Sequence, residues 1–271
     1  MHEDTNDLLI NPCPYLLVLN RIAGVDEAGR GAVIGPLVVA AVAIDASSID
    51  RLIELGVKDS KMLDRRSRMI LYNKILELCS TAVCIAEPRV IDAYVYEHAL
   101  NVLEARMFAI ALSKLKPLLA YVDACDTKPE RFSAMIARML DDEDIGMMIS
   151  AAHKADRDNV LVGAASIVAK VTRDSIVDGV KRRYGDFGSG YPSDGRTRRF
   201  IRYLFTSGVA EDESGTSDSS RSKSHSNLIS IDVSDIKLHH FHDDSMDDNG
   251  SSRFSFIRYS WKPIRSLLAS I

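Results

Sequence analysis

The sequence predicts an α/β fold, a sheet flanked by helices, on three observations. Short apolar or β-branched runs alternate with longer stretches whose apolar residues recur at helical spacing. Gly and Pro mark the joins, at Gly35-Pro36, Gly56, Pro88, Pro117 and Gly185. Acids stand at the ends of several strand-like runs, where open α/β sheets gather their ligands.

Taken in order, residues 1–18 form a polar start that runs into Tyr15-Leu-Leu-Val18. Arg21–Asp26 and Leu37–Ile44 read as two strands joined by a glycine-rich connection, a hairpin. Ile49–Leu55 is helical and stops at Gly56. Asp64 is placed as the N-cap of a helix to about Cys79. Thr81–Ala86 is a third strand. Val90–Leu115 is helical with a break near His98–Asn101, and Pro117 closes it. Leu118–Asp123 is a fourth strand. Pro129–Leu140 is a helix capped by Thr127, and Met147–Ala152 a fifth strand. A long helix follows from about Val162 to Arg183. The small residues Gly163, Ala164, Ala165 and Ser166 let its start press against a sheet or a ligand. The loop Gly185–Asp194 leads to a basic helix, Thr197–Phe205.

Composition bounds the function classes. The chain of 271 residues suits one large domain with an appendage, and 46% apolar content supports a sizeable core. The division expected is a principal domain over 1–206, an acidic Ser/Asp-rich segment over 207–252, and a terminal helix over 253–271 that packs back. Segment 207–252 has too few apolar residues to offset the entropy of ordering and is expected to be largely disordered, with a short strand at Ile229–Val233. No apolar run reaches membrane-spanning length. The acidic start has no secretory pattern, and Cys13, Cys79, Cys84 and Cys125 lack paired spacing. Reduced thiols in a cytoplasmic protein are the expectation. Net charge is −4, yet Lys170–Arg202 holds nine Lys/Arg against four Asp/Glu, while Val209–Gly250 holds three against ten. A solvated helix face and a nucleic-acid stripe are both open for the basic run, with Phe187 and Tyr191 interleaved in it.

The chemistry centres on Ile22-Ala-Gly-Val-Asp-Glu-Ala-Gly-Arg-Gly31. Two adjacent acids at the end of a core strand are costly unless neutralised, and hard oxygen ligands suit magnesium or manganese. Asp123 and the Asp156 region deliver further acids, so two divalent ions about 3.5–4 Å apart are an arrangement the set could hold. Neighbours on a strand point to opposite faces, so Asp26 and Glu27 share one metal only if the strand has broken into the turn. Gly29-Arg30-Gly31 reads either as a tight turn or as a cradle for phosphate and sugar. Lys58 and Lys61 flank a further polar turn and read as solvated surface lysines. Tyr191 either stacks on a sugar or base or closes its own loop. His153 is open to a metal or acid–base role or to a place at the strand-end surface and is left out of the core set, and Asp126, Asp174 and Asp186 read as structural acids.

Six motifs in order resemble the type 2 ribonuclease H family, most closely ribonuclease HII of the archaeal kind. They are Gly24-Val-Asp-Glu-Ala-Gly-Arg-Gly31, Lys58-Asp-Ser-Lys61, Tyr121-Val-Asp123, His153-Lys-Ala-Asp156, Ala164–Asp174 and Gly188–Asp194. The resemblance implies a ribonuclease H-like five-stranded mixed sheet, the first three strands antiparallel and the fourth and fifth parallel to the first, with a helical C-terminal part. It implies an endoribonuclease acting on RNA–DNA hybrids and cutting 5′ of ribonucleotides embedded in duplex DNA, with 3′-hydroxyl and 5′-phosphate ends. That places it in ribonucleotide excision repair. By motif, Asp26, Glu27, Asp123 and Asp156 are the catalytic, metal-binding acids for two Mg²⁺ or Mn²⁺ ions. Gly29, Arg30 and Gly31 read the 2′-hydroxyl, Lys61 contacts phosphate, and Tyr191 stacks on the sugar beyond the junction. Ala32 stands where the family usually has proline. Lys262–Ile271 lacks the glutamine and paired aromatics of a sliding-clamp motif, so a monomer without that partner is expected. A catalytic subunit dependent on partner proteins and a non-catalytic hybrid-binding module are the alternatives.

Overall fold

The computed structural model describes residues 21–57, 63–140, 146–207, 227–232 and 254–269. Its centre is the predicted hairpin, β1 (Arg21–Ala28) and β2 (Leu37–Asp45), paired antiparallel from Arg21↔Asp45 to Ala28↔Val38. β3 (Ser80–Ala86) pairs antiparallel with β2. β4 (Leu119–Asp123) lies parallel to β1, and β5 (Met148–Ala152) parallel to β4. The expected strand directions therefore hold.

The sheet has six strands rather than five, in the order β5-β4-β1-β2-β3-β6. The sixth, β6 (Leu228–Asp232), comes from inside the acidic segment and runs parallel to β3. Ile229 and Ile231 alternate with Ser230 and Asp232, a pattern that an exposed sheet edge can template. Within the acidic segment, residues 208–226 and 233–252 lie outside the described residues, as do residues 1–18, Lys58 and Lys61.

Helices cover both faces. On one face α3 (Pro88–Tyr96), α4 (Leu100–Leu115) and α5 (Pro129–Ala137) pack on Ala23, Val25, Leu37, Val39, Ala41 and Val122. On the other, α1 (Ile49–Glu54), α2 (Arg65–Leu78) and α7 (Val160–Tyr184) pack on Val38, Ala40 and Val42. A strand buried on both faces reads as continuous apolar sequence, which is why Leu37–Ile44 shows no alternation. Asp64 does cap α2, accepting from the Ser67 N–H at 2.7 Å. The break between α3 and α4 falls at His98, which takes φ 55°.

Two local expectations need correction. Lys128, not Thr127, is the N-cap of α5, and that helix ends at Ala137, short of Leu140. The Asp126 carboxylate organises the turn instead, accepting from the Lys128 N–H at 2.9 Å. The terminal helix is also shorter, α9 (Lys262–Leu268). Before it, Phe254–Trp261 runs as turns and an isolated bridge, Ile34↔Ile257. Phe254, Phe256, Ile257 and Ile264 close a third core with Phe187 and with Ile201 and Leu204 of α8 (Gly195–Thr206). Docking there offsets the entropy of ordering the tail, at roughly 1.5–3 kcal/mol for each large side chain fully buried.

Candidate active site

β1 and β4 carry their acids to the same end of the sheet. Parallel pairing runs from Ile22↔Leu119 to Val25↔Val122, so Asp26 and Asp123 follow side by side one step further. Both stand on the face covered by α7, as Ile22 and Tyr121 do. Asp26 is buried at 5% exposure and is hydrogen-bonded by Ser166 of α7. Asp123 Oδ1 accepts from the Ala155 N–H at 2.8 Å. That bond fixes the start of the one-turn helix α6 (Ala155–Asp158), whose Asp156 is also 5% exposed.

Small residues make this closeness feasible. A Cβ on Gly24 would lie 2.2 Å from the Leu161 carbonyl carbon, so β1 and α7 touch backbone to backbone. Asn159 caps α7, accepting from the N–H groups of Leu161 at 2.9 Å and Val162 at 3.3 Å. A Cβ on Gly163 would meet the Asp156 carbonyl at 3.2 Å.

Electrostatics tie the four acids together. Burial raises the Asp26 carboxyl well above its ordinary range, and the charges of Glu27 and Asp123 raise it further. Glu27 is pushed up to about 7, first by burial and then by Asp123, with Asp156 adding to the rise and Arg30 opposing it. Among the described residues, Glu27 Oε2 is buried without a hydrogen-bond partner. Such a group is expensive to leave alone, and it suits a cation.

The donor set therefore fits hard divalent cations in chemistry, all oxygen and all acidic. It is not a ready-made cage: among the described residues no three of His, Cys, Asp and Glu stand together as a metal cluster. The physical reasons are visible. β1 extends to Ala28, so Asp26 and Glu27 do leave it on opposite faces. Asp26 Oδ1 also accepts from the Glu27 N–H at 2.8 Å. Four like charges held at one strand end repel until something neutralises them.

The Gly29–Gly31 turn adjoins the acids. Gly29 has φ 95°, and a Cβ there would strike Arg173 at 2.4 Å and the Pro36 carbonyl at 2.6 Å, so glycine is required. Tyr191 is half-buried, with its ring against Gly31 and under the Arg173 guanidinium, 5.1 Å from the ring centroid. Its loop is stitched to the turn through the Gly190 carbonyl, which accepts from Val33 at 2.8 Å and Ile34 at 3.1 Å. Tyr191 thus both closes its loop and faces the turn. Lys61 lies outside the described residues. His153 is exposed. Asp126 pairs with Arg131, Asp174 with Arg68 and Asp186 with Arg196, each as a structural acid.

Several site residues carried no signal in the sequence. Glu104 is an acid in an otherwise buried helix face, ion-paired to Arg30. Arg258 interrupts an apolar run and is fully buried. Only the Ala164–Asp174 motif, which contains Ser166 and Arg173, held a hint of the others.

The sheet order and the acids at adjoining strand ends define a ribonuclease H-like α/β protein. A family model described as ribonuclease HII matches residues 23–213. The ribonuclease HII of Pyrococcus horikoshii is 46% identical over 188 residues, 68% of this chain and 83% of that protein. The crystal structure of the ribonuclease H2 from Pyrococcus horikoshii OT3 superposes with a TM-score of 0.70 at 34% identity, covering 92% of this chain and 98% of that one. Ribonuclease HII in the PCNA complex from Archaeoglobus fulgidus matches at 43% identity and TM-score 0.64, over 70% of this chain and 90% of its own. The chain belongs to the ribonuclease HII family. It is by that membership an endoribonuclease of RNA–DNA hybrids.

Proposed function

We propose that this protein cuts the RNA strand of hybrids, and the 5′ side of a ribonucleotide embedded in duplex DNA, leaving 3′-hydroxyl and 5′-phosphate ends. Asp26, Glu27, Asp123 and Asp156 are its catalytic acids, and they would hold two Mg²⁺ or Mn²⁺ ions. The observation that carries this reading is the side-by-side emergence of Asp26 and Asp123 from parallel strands, with Glu27 and Asp156 close enough to perturb the same charges.

Divalent cations, when bound, supply charge stabilisation for the attacking and leaving oxygens of a phosphodiester. The chain's own residues orient that chemistry. The Ala155 N–H fixes the Asp123 carboxylate. Ser166 holds Asp26 from the α7 side. The turn recognises the ribose: the N–H groups of Arg30 and Gly31 have no intramolecular acceptor among the described residues, and a 2′-hydroxyl can accept from them. Tyr191 packs beneath the neighbouring sugar, and Lys61 contacts phosphate.

Cys79, Cys84 and Cys125 are free thiols, and burial pushes each up to about 12. Our reading of the compartment is the cytoplasm, where unpaired thiols stay reduced. No helix among the described residues is long and apolar enough to cross a membrane. The PCNA contact belongs to the Archaeoglobus protein, and our reading is a monomer that needs no clamp. The test is a duplex DNA carrying one ribonucleotide, incubated with and without Mg²⁺, with the products sized. Cleavage only with the ion, at the phosphodiester bond on the 5′ side of the ribonucleotide, is expected. Cleavage of the all-DNA duplex at the same rate contradicts the reading.

A further inference from the structure

The Gly29–Gly31 turn is closed locally by one hydrogen bond, from the Ala32 N–H to the Gly29 carbonyl at 3.1 Å. Two of its three members are glycine, and its remaining anchors are charges far away in the chain. Arg30 forms an ion pair with Glu104 on α4 and donates from Nη2 to Asn101 Oδ1 at 2.7 Å. Glu104 is fully buried. Asn101 is held in turn by Asp126, to which its Nδ2 donates at 3.0 Å. The guanidinium is thus engaged inward.

The main chain of the turn is gripped from the other side. Arg258 Nε donates to the Gly35 carbonyl at 3.0 Å and Nη1 to the Arg30 carbonyl at 3.0 Å. Its backbone N–H donates to the Val33 carbonyl at 3.0 Å. Arg173 Nη2 takes the Ile34 carbonyl at 3.0 Å. Asp92 pins the segment that carries Arg258, accepting from the N–H groups of Tyr259 at 2.7 Å and Ser260 at 3.0 Å. Guanidiniums claim the carbonyls of Arg30, Ile34 and Gly35 from within, and the N–H groups of Arg30 and Gly31, with no acceptor among the described residues, are left for a ligand. A fork that reaches two carbonyls at once is something arginine supplies and lysine does not.

We propose that Glu104 and Arg258 are positioning residues for ribose recognition, clamping Arg30 by its side chain and by its carbonyl so that the turn presents its N–H groups. This rests on the reading above that the turn recognises ribose. A merely structural role would lower stability and leave the preference for ribose unchanged.

The measurement is discrimination: the affinity for duplex DNA with one ribonucleotide relative to the all-DNA duplex, by competition, with KM and kcat measured alongside. Glu104→Gln and Arg258→Gln should each lower discrimination roughly ten- to hundredfold, the size of losing a hydrogen bond to a charged group. KM should rise more than kcat falls. In an Arg30→Gln background Glu104→Gln should add nothing, because it acts through Arg30. Gly31→Ala separates the two ideas: its Cβ has ordinary room in the protein, 3.9 Å from Tyr191, and would crowd a sugar brought against the Gly31 N–H. Full discrimination in Gly31→Ala would sink the reading of the turn itself. Lost discrimination there, with Glu104→Gln and Arg258→Gln intact, would overturn only the clamp. Should Arg258→Gln fail to fold, Arg258→Lys replaces it, keeping charge without the fork; unchanged discrimination in that variant overturns the proposal.

Discussion

Changing Asp123 to asparagine alters one atom, keeps the acceptor for the Ala155 N–H and removes the charge. Asp123→Asn should lower cleavage by about a thousandfold or more, the scale of several kcal/mol of charge stabilisation, while hybrid binding persists in a gel-shift assay. Binding lost in step with cleavage would show that the residue holds the fold rather than the reaction. Glu27 gives a second expectation, in pH. Its folded carboxyl sits at about 7 against an ordinary 4.5, so the native state holds the proton more tightly. The stability this group contributes is fully present below about pH 4.5 and is lost as pH rises through 7. Melting temperature of the metal-free protein should fall across that window, and the fall should shrink in Glu27→Gln. Added Mg²⁺ should raise the melting temperature more at pH 8 than at pH 5. Equal shifts at both would mean that the ion does not meet these acids.

β1 and α7 are the pair of elements on which the site depends, and Gly24 is where they meet. Gly24→Ala forces a Cβ to 2.2 Å from the Leu161 backbone, which no rotamer can relieve. It should cost about 2–3 kcal/mol or more in urea unfolding, at the upper end of overpacking penalties. A loss below 0.5 kcal/mol on that same order-of-magnitude scale would mean that β1 and α7 are further apart than described. Much of this was legible beforehand. The hairpin, the Asp64 cap, the break at His98 and the five strand positions all follow from local pattern, because each element's burial is written in its own apolar period. The Thr127 cap and the long terminal helix were misread for the opposite reason. A nearby Asp126 outcompetes Thr127 for the turn's N–H groups, and Phe254–Trp261 is shaped by Asp92 and the Gly29–Gly35 loop, over 160 residues away in sequence.

Across the whole molecule, charge is distributed where its net value gives no hint. α8 exposes Arg199 and Arg202, and the sequence already showed the basic run from Lys170 to Arg202. If these meet phosphates, the joint change to alanine should lower the slope of log affinity against log salt by up to about 2, close to one unit per contact. An unchanged slope would return the run to being a solvated helix face. The four acids were legible as types and positions, since each ends a strand or opens a helix. Part of their failure to form a closed cage was legible too, since strand neighbours point to opposite faces; that β1 stays extended through Ala28, and that N–H groups already occupy Asp26 and Asp123, was not. The sixth strand was half legible, as an apolar run whose partner edge on β3 no local pattern reveals. Anomalous diffraction from crystals grown with Mn²⁺ and a ribonucleotide-bearing duplex settles whether these acids share cations. Two ions about 3.5–4 Å apart, with Asp26 and Asp123 both among the ligands, is the expected result; manganese bound elsewhere, or held by Asp26 without Asp123, would contradict it.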